Sequence, residues 1–218
     1  MTKMEGRYTL GKSARLVERD ALLSRLAGVE WPFDSLLGLL NLPAEADVLD
    51  VGIGDGRLLQ ALRARGHAGR HVGVDPEPGS PEVRVGVAHA LPFSDGAFDV
   101  VTFVRVLRHL PDAGAALAEA RRVVRPGGWV VLASHGGDHL RETRQALGHP
   151  PGGTGPEAAL REAVVRAGWV ALRLDARLPV TLRAEGAILP TPSPQDDAPQ
   201  TGCLIHDTLH LALYAARF

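Results

Sequence analysis

Three glycines at alternate positions interrupt an apolar run in DVLDVGIGDGRLLQAL, residues 47–62: Gly52, Gly54 and Gly56. Glycine weakens regular structure and is useful where backbone turns tightly or lets another group come close. The residues before them, ADVLDVG, predict a buried strand, and GRLLQALRARG predicts a helix. Such a turn lets the backbone pass under a ligand, and the helix start offers free N–H groups. About twenty residues on, HVGVD ends a second strand at Asp75, where a carboxylate can accept both hydroxyls of a ribose. A glycine turn with a distal acid points to an adenosine-containing ligand. The dinucleotide fingerprint is G-x-G-x-x-G; here the third glycine comes one residue early, Arg57 stands in its place, and Asp50 precedes Gly52 by two positions.

Other residues could do chemistry at looser spacing. Arg105 follows an apolar run, where it would face an anionic acceptor or stand as a solvated arm. His135 and His139 are four apart in SHGGDH, but Gly136 and Gly137 leave no helix to align them on a metal. His206 and His210 share one face of a predicted strand, and no metal is expected at either pair. His109 in LRHLPD reads as a helix-end packing residue rather than a base. Tyr8 could close over the ligand from the N-terminal segment. Tyr8, Arg105 and His135 are thus the substrate-side candidates, and no side chain is assigned as catalytic.

These residues need elements to position them. KSARLVERDALLSRLAG predicts a helix with Leu16, Leu22, Leu23 and Leu26 near one face and Gly28 as its C-cap. WPFDSLLGLLNLP allows a second short helix, with Asp34 as cap candidate and Pro43 beyond its end. Apolar strands then alternate with helical patterns: RHVGVD, EVRVGV, AFDVVTFV and WVVLAS as strands, and DAGAALAEARRVV and GPEAALREAVVRAG as helices. Continuous apolar strands alternating with helices imply an α/β, doubly wound, mostly parallel sheet covered on both faces. The tail differs, because WVALRLDARLPVTL and TLHLALYAARF read as strands with no crossover helix between them. They should pair antiparallel. The Pro-rich stretch 183–203 joins them and is expected as a loop over the acceptor pocket.

Composition narrows the function classes. The 218 residues carry a net charge of −1, so no global basic field favours nucleic acid or a membrane surface, although Lys3, Arg7, Lys12, Arg15 and Arg19 bias the N-terminus locally. Cys203 stands alone, which excludes an internal disulfide and a multi-cysteine metal site. The charged N-terminus does not read as a signal peptide, and no run is long enough to span a bilayer, so a soluble, cytoplasmic protein is expected.

From Asp47 to Ser134 the sequence resembles the class I, Rossmann-like S-adenosylmethionine-dependent methyltransferases, particularly the type 11 small-molecule group. The blocks are VLDVGIGDGRLL, GVDPEP, ALPFSDGAFDVVTFVRVLRHLPD and ARRVVRPGGWVVLAS, in the family's order and spacing. The resemblance implies seven strands with the last antiparallel and a methyltransferase domain over 46–218, preceded by the segment 1–45, read from its pattern as a helical N-terminal cap. It implies S-adenosylmethionine as cofactor and a small or medium-sized molecule as methyl acceptor. Asp50 would face the methionine amino group, with Gly52, Ile53, Gly54 and Gly56 beneath the cofactor. Asp75 would hold the ribose, Pro76, Ala88 and His89 would line the adenine, and Phe103 and Val104 would border the methionine end. Val87 stands where a family carboxylate often meets the adenine amino group. Two rival readings are a nicotinamide-dependent oxidoreductase, disfavoured by the glycine spacing, and a catalytically silent cofactor-binding or partner subunit.

Overall fold

The computed structural model describes residues 5–77, 83–149, 155–184 and 203–218, of which residues 5–15, 184 and 203 contribute backbone only. Seven strands form one sheet: β1 (Val48–Val51), β2 (His71–Asp75), β3 (Val83–Val85), β4 (Phe98–Val104), β5 (Val124–His135), β6 (Ala171–Ala184) and β7 (Cys203–Arg217). Their order is β3-β2-β1-β4-β5-β7-β6. Strands β1 to β5 pair parallel, and β7 runs antiparallel to both β5 and β6. The doubly wound, mostly parallel α/β sheet with an antiparallel last strand is therefore the architecture present. Strand order reverses between β1 and β4, and ligands of open α/β sheets bind at the carboxyl ends beside such a reversal.

Helices cover both faces. On one lie α1 (Glu5–Ala27), α2 (Phe33–Leu40) and α3 (Arg57–Ala64), packed on Val48, Val100, Val131 and Leu211. On the other lie α4 (Ala113–Val123) and α6 (Pro156–Arg166), packed on Leu49, Val101, Leu132 and Tyr214. Asp112 caps α4 by accepting from Ala115 N–H at 2.9 Å, and Pro156 opens α6, where its missing N–H costs nothing. A 3-10 turn (Leu107–His109) follows β4, and a short α5 (Arg141–Ala146), absent from the sequence reading, follows β5.

Two local expectations are corrected. Helix α1 ends at Gly28 with φ 69°, as its C-cap requires, but Leu22 and Leu26 are exposed. Its inward residues are Asp20, Leu23 and Ala27, because pairing of Asp20 with arginines sets the helix rotation. Asp34 is not the cap of α2; it lies inside the first turn, accepts from Glu30 N–H at 2.8 Å and pairs with Arg65 at 2.9 Å. The β6–β7 ladder outruns its neighbour. Its Ala176–Leu211 pair lies level with His135, and the eight residues Arg177–Ala184 continue beyond, about 26 Å at roughly 3.3 Å per residue. Most of the 183–203 loop lies outside the described residues.

Candidate functional site

The glycine turn leaves the carboxyl end of β1 with all three glycines in the left-handed region: φ is 76° at Gly52, 59° at Gly54 and 81° at Gly56. The three are not equivalent. A Cβ on Gly52 would come within 2.4 Å of Val106 Cγ2, so this glycine is needed for packing against the end of β4. A Cβ on Gly54 or Gly56 would meet nothing within 4 Å. The open, permissive backbone is thus at the second and third glycines. Ile53 turns inward, and a Cβ on Gly73 would collide with its Cδ1, so Gly73 of β2 makes room for the turn.

Asp75 ends β2 beside this turn. Its Oδ2 accepts from Gly54 N–H at 3.2 Å and its Oδ1 from Glu77 N–H at 3.0 Å. A carboxylate has about four lone-pair sites, so these two bonds hold the group while leaving acceptor capacity. Pro76, next to it, is exposed.

Asp50 is buried in β1, register partner of Thr102 in β4, whose Oγ1 lies 2.9 Å from Asp50 Oδ1 and 3.3 Å from the Leu49 carbonyl. No cation among the described residues pairs with it. Burial pushes its carboxyl up to about 7; the Thr102 bond opposes that, while the charges of Asp75 and Asp55 add to it. A buried carboxylate without a countercharge is costly, and an ammonium group placed beside it would relieve that cost.

The block after β3 is held from α4. Glu119 accepts from Leu91 N–H at 2.8 Å, while Arg122 donates to the carbonyls of Phe93 and Leu91 and to Asp95. Ala88 is half-buried and His89 exposed, and Val87 presents a partly exposed apolar side chain. At the end of β4, Val104 is partly buried on the α1–α3 face, whereas the Phe103 ring is wholly buried on the α4–α6 face. Phe103 therefore offers a ligand only its backbone.

The substrate-side candidates fall differently. Arg105 is neither a solvated arm nor free to face an anion. With φ 60° it forks onto Asp20 of α1, Nη1 to Oδ1 at 2.9 Å and Nη2 to Oδ2 at 2.7 Å. Arg57, the residue after the glycine turn, also reaches Asp20 Oδ2 at 2.8 Å and holds Asp55 at 2.7 Å. Asp20 is fully buried, and despite burial its carboxyl is held below the usual range by Arg105 and Arg57. One carboxylate on α1 thus ties together the backbone that follows β1 and the backbone that follows β4.

His135 ends β5 on the α1–α3 side. Its ring stacks on His139 with centroids 3.9 Å apart and planes 7° apart, and His139 stacks on Trp31 at 5.7 Å. Parallel faces aim the ring nitrogens along separate planes, so the pair does not converge on an ion, and no metal-binding cluster exists among the described residues. Nε2 of His135 and Nε1 of Trp31 are buried without a partner. Burial drives both imidazoles toward the neutral form: His135 is lowered well below its ordinary value, with His139 and Arg105 adding to the effect, and His139 falls to about 4, with Arg19 and Arg105 adding. His210 is buried, its Nε2 2.7 Å from Asp175 Oδ1, while His206 is exposed beside Thr181. His109 is exposed on the 3-10 turn, not packed at a helix end. Tyr8 belongs to α1, but its side chain lies outside the described residues.

The residues missed from sequence are Asp20, Thr102, Val106 and Trp31, together with the tying role of Arg57 and the stacking of His139. Thr102 was within reach, since it stands opposite Asp50 once the two strands are paired in register. The others had no local signal.

Comparison with known proteins bears on the family and the fold. Residues 49–132 match the family model described as Methyltransferase domain. A 37.1 kDa protein of transposon TN4556 from Streptomyces fradiae is 36% identical over 119 residues, covering 48% of this chain and 34% of that protein. A demethylmenaquinone methyltransferase of Bacillus velezensis is 34% identical over 129 residues, covering 52% of this chain and 55% of the enzyme. The chain thus spans about a third to just over half the length of these curated relatives. Among solved structures, an S-adenosylmethionine-dependent methyltransferase of Thermotoga maritima superposes with TM-score 0.56 at 17% identity, over 94% of this chain and 96% of that one. One from Aquifex aeolicus gives 0.54 at 16% identity, over 94% and 97%.

Proposed function

We propose that this chain, whose residues 49–132 belong to the methyltransferase-domain family and whose sheet is that of the class I methyltransferases, transfers a methyl group from S-adenosylmethionine to a small or medium-sized molecule. The observation that carries the reading is the conjunction at the strand reversal. Gly54 and Gly56 have open space over left-handed backbone, Gly54 N–H is bonded to Asp75, and Asp50 is a buried carboxylate with no cation beside it among the described residues. These features fit a ligand that carries both a ribose and an amino group.

S-adenosylmethionine, when bound, supplies a methyl group already activated on a sulfonium sulfur. The chain's part is to bind and orient. Asp75 accepts the ribose hydroxyls, Asp50 stands opposite the amino group, and the backbone from Gly52 to Gly56 runs beneath. Pro76, Ala88 and His89 border the adenine, with Val87 adding only apolar surface; Val104 and the backbone of Phe103 border the methionine end. Helices α1 and α2, within the segment read as an N-terminal cap, would cover that side of the site. Holding an acceptor in line with the methyl group lowers a barrier by up to about 7–11 kcal/mol in well-oriented cases, so no catalytic side chain is required for a nucleophile that arrives deprotonated. His135, neutral, offers the acceptor a hydrogen bond rather than a charge.

Titration calorimetry tests the assignment. S-adenosylmethionine should bind and NAD should not. Asp75→Ala should weaken binding tenfold or more, since hydrogen bonds to a charged group contribute roughly 1.5–3 kcal/mol. Unchanged affinity in a folded Asp75→Ala variant would overturn the ribose assignment, and tight NAD binding would overturn the cofactor. Transfer of label from S-adenosylmethionine to a component of cell extract separates an enzyme from a silent cofactor-binding subunit.

A further inference from the structure

Beyond the carboxyl end of β5, on the α4–α6 face of the sheet, lies a cavity of about 480 Å³ between the 3-10 turn, α5 and the start of α6. Arg108, Arg144 and Arg161 all line it. Elsewhere in the described residues most arginines meet a carboxylate, as Arg57, Arg105, Arg122, Arg125 and Arg173 do. Nothing comparable meets these three. Arg108 Nε donates to the ring of His109, and the guanidinium groups of Arg144 and Arg161 have no hydrogen bond or ion pair among the described residues. The one acid in the lining, Glu157, is already engaged elsewhere: it accepts from Arg173 Nε and Nη2 at 2.9 and 2.7 Å and from Gly137 N–H at 2.9 Å.

A cavity of this volume is roughly 10 Å across, about one Debye length at 0.1 M salt, so an anion within it lies inside the screening distance of the lining charges. Crowding like charges without a counterion is unfavourable, and an oxyanion bearing two or more negative charges reverses the sign of that interaction. Guanidinium groups also match phosphate geometry with paired N–H donors. The volume is that of small-molecule pockets, about 300–1,000 Å³. A nucleic-acid strand would need basic surface extending beyond one cavity, and the chain's net charge is −1.

We propose that this cavity binds a small molecule through a phosphate or pyrophosphate group held by Arg108, Arg144 and Arg161. The site is separate from the glycine turn and does not depend on the methyl-transfer reading. Gly136 and Gly137 of its lining directly follow His135 in the chain.

The test is calorimetric titration of the whole chain with inorganic pyrophosphate at low salt. Saturable one-to-one binding is expected, weakened tenfold or more when Arg144→Gln and Arg161→Gln are combined. Removing the same charge elsewhere, with Arg65→Gln and Arg166→Gln together, should leave the affinity within twofold. Circular dichroism verifies that both double variants are folded. No saturable binding at millimolar pyrophosphate, or equal loss in the two double variants, would overturn the proposal. So would a single-stranded oligonucleotide that binds more tightly than pyrophosphate and loses affinity with Arg144 and Arg161, since that outcome assigns the surface to nucleic acid.

Discussion

On the β1–β2 side of the sheet's carboxyl end, Gly54 N–H meets Asp75 across 21 residues of chain; on the β4–β5 side, Arg105 meets Asp20 across 85. The first region is mostly backbone: three left-handed glycines, and a carboxylate pinned by two N–H groups. The second is built from side chains that come from far apart: a buried Asp20 with Arg57 and Arg105, beside the stacked rings of Trp31, His139 and His135. Backbone sites tolerate change in the surrounding side chains, because their donors belong to every sequence. Side-chain sites depend on each member, because a buried charge that loses its partner is penalised at once. The contrast suits a division of labour in which one flank meets an invariant cofactor and the other a particular acceptor.

The contrast can be broken most severely within the glycine turn itself. Gly54→Val puts a side chain into open space over the backbone and is expected to abolish S-adenosylmethionine binding while circular dichroism stays near that of the parent. Gly52→Ala should do the reverse. Its methyl group meets Val106, so a loss of stability of about 2–3 kcal/mol is expected from overpacking and left-handed strain, read from urea denaturation. If Gly54→Val binds normally, the turn is structural and the cofactor reading fails.

Next in size is the tie between the flanks. Asp20→Ala leaves Arg57 and Arg105 without their buried partner, and breaking such a pair costs about 3–5 kcal/mol. Denaturant unfolding should show that loss, and replacing Arg105 by Met in the same variant should recover part of it. A variant as stable as the parent would mean that α1 is held by Leu23 and its apolar neighbours alone.

The smallest effect sharpens the comparison from the backbone side. Asp50 titrates near 7 in the folded chain and near 3.8 when unfolded, so its contribution to stability is greatest below pH 3.8 and declines as pH rises toward 7. Asp50→Asn should therefore stabilise the ligand-free protein above pH 7 and have little effect near pH 4. Binding of a cationic amino group favours the ionised form, so at pH 7 up to about half a proton should be released per cofactor bound. Calorimetry in two buffers of different ionisation enthalpy measures it. Heats that do not depend on buffer would remove Asp50 from the amino-group side of the site.

The fold was legible because it rests on short-range regularities. Apolar runs of strand length, helical spacing between them, and the missing crossover before the last strand follow from backbone hydrogen bonding and burial within neighbouring residues. The glycine turn was legible for the same reason, although its three glycines looked alike. Only the packed structure shows that Gly52 answers to Val106 while Gly54 and Gly56 open outward. Rotation of α1 was misjudged because leucine spacing is a weak signal beside a buried ion pair whose other members lie 37 and 85 residues away.

By itself the sequence determined the seven strands, every helix but α5, their mostly parallel pairing and the location of the glycine turn, since each depends on contacts local in the chain or on a uniform burial pattern. Tertiary structure alone decided that Arg105 belongs to Asp20, that Phe103 faces the core, that His135 and His139 stack rather than chelate, and that three arginines without a carboxylate partner among the described residues share one cavity. Those outcomes depend on which side chains meet across the sheet. Charge pairing, stacking and cavity lining are set by distances in space, and spacing along a chain does not encode them.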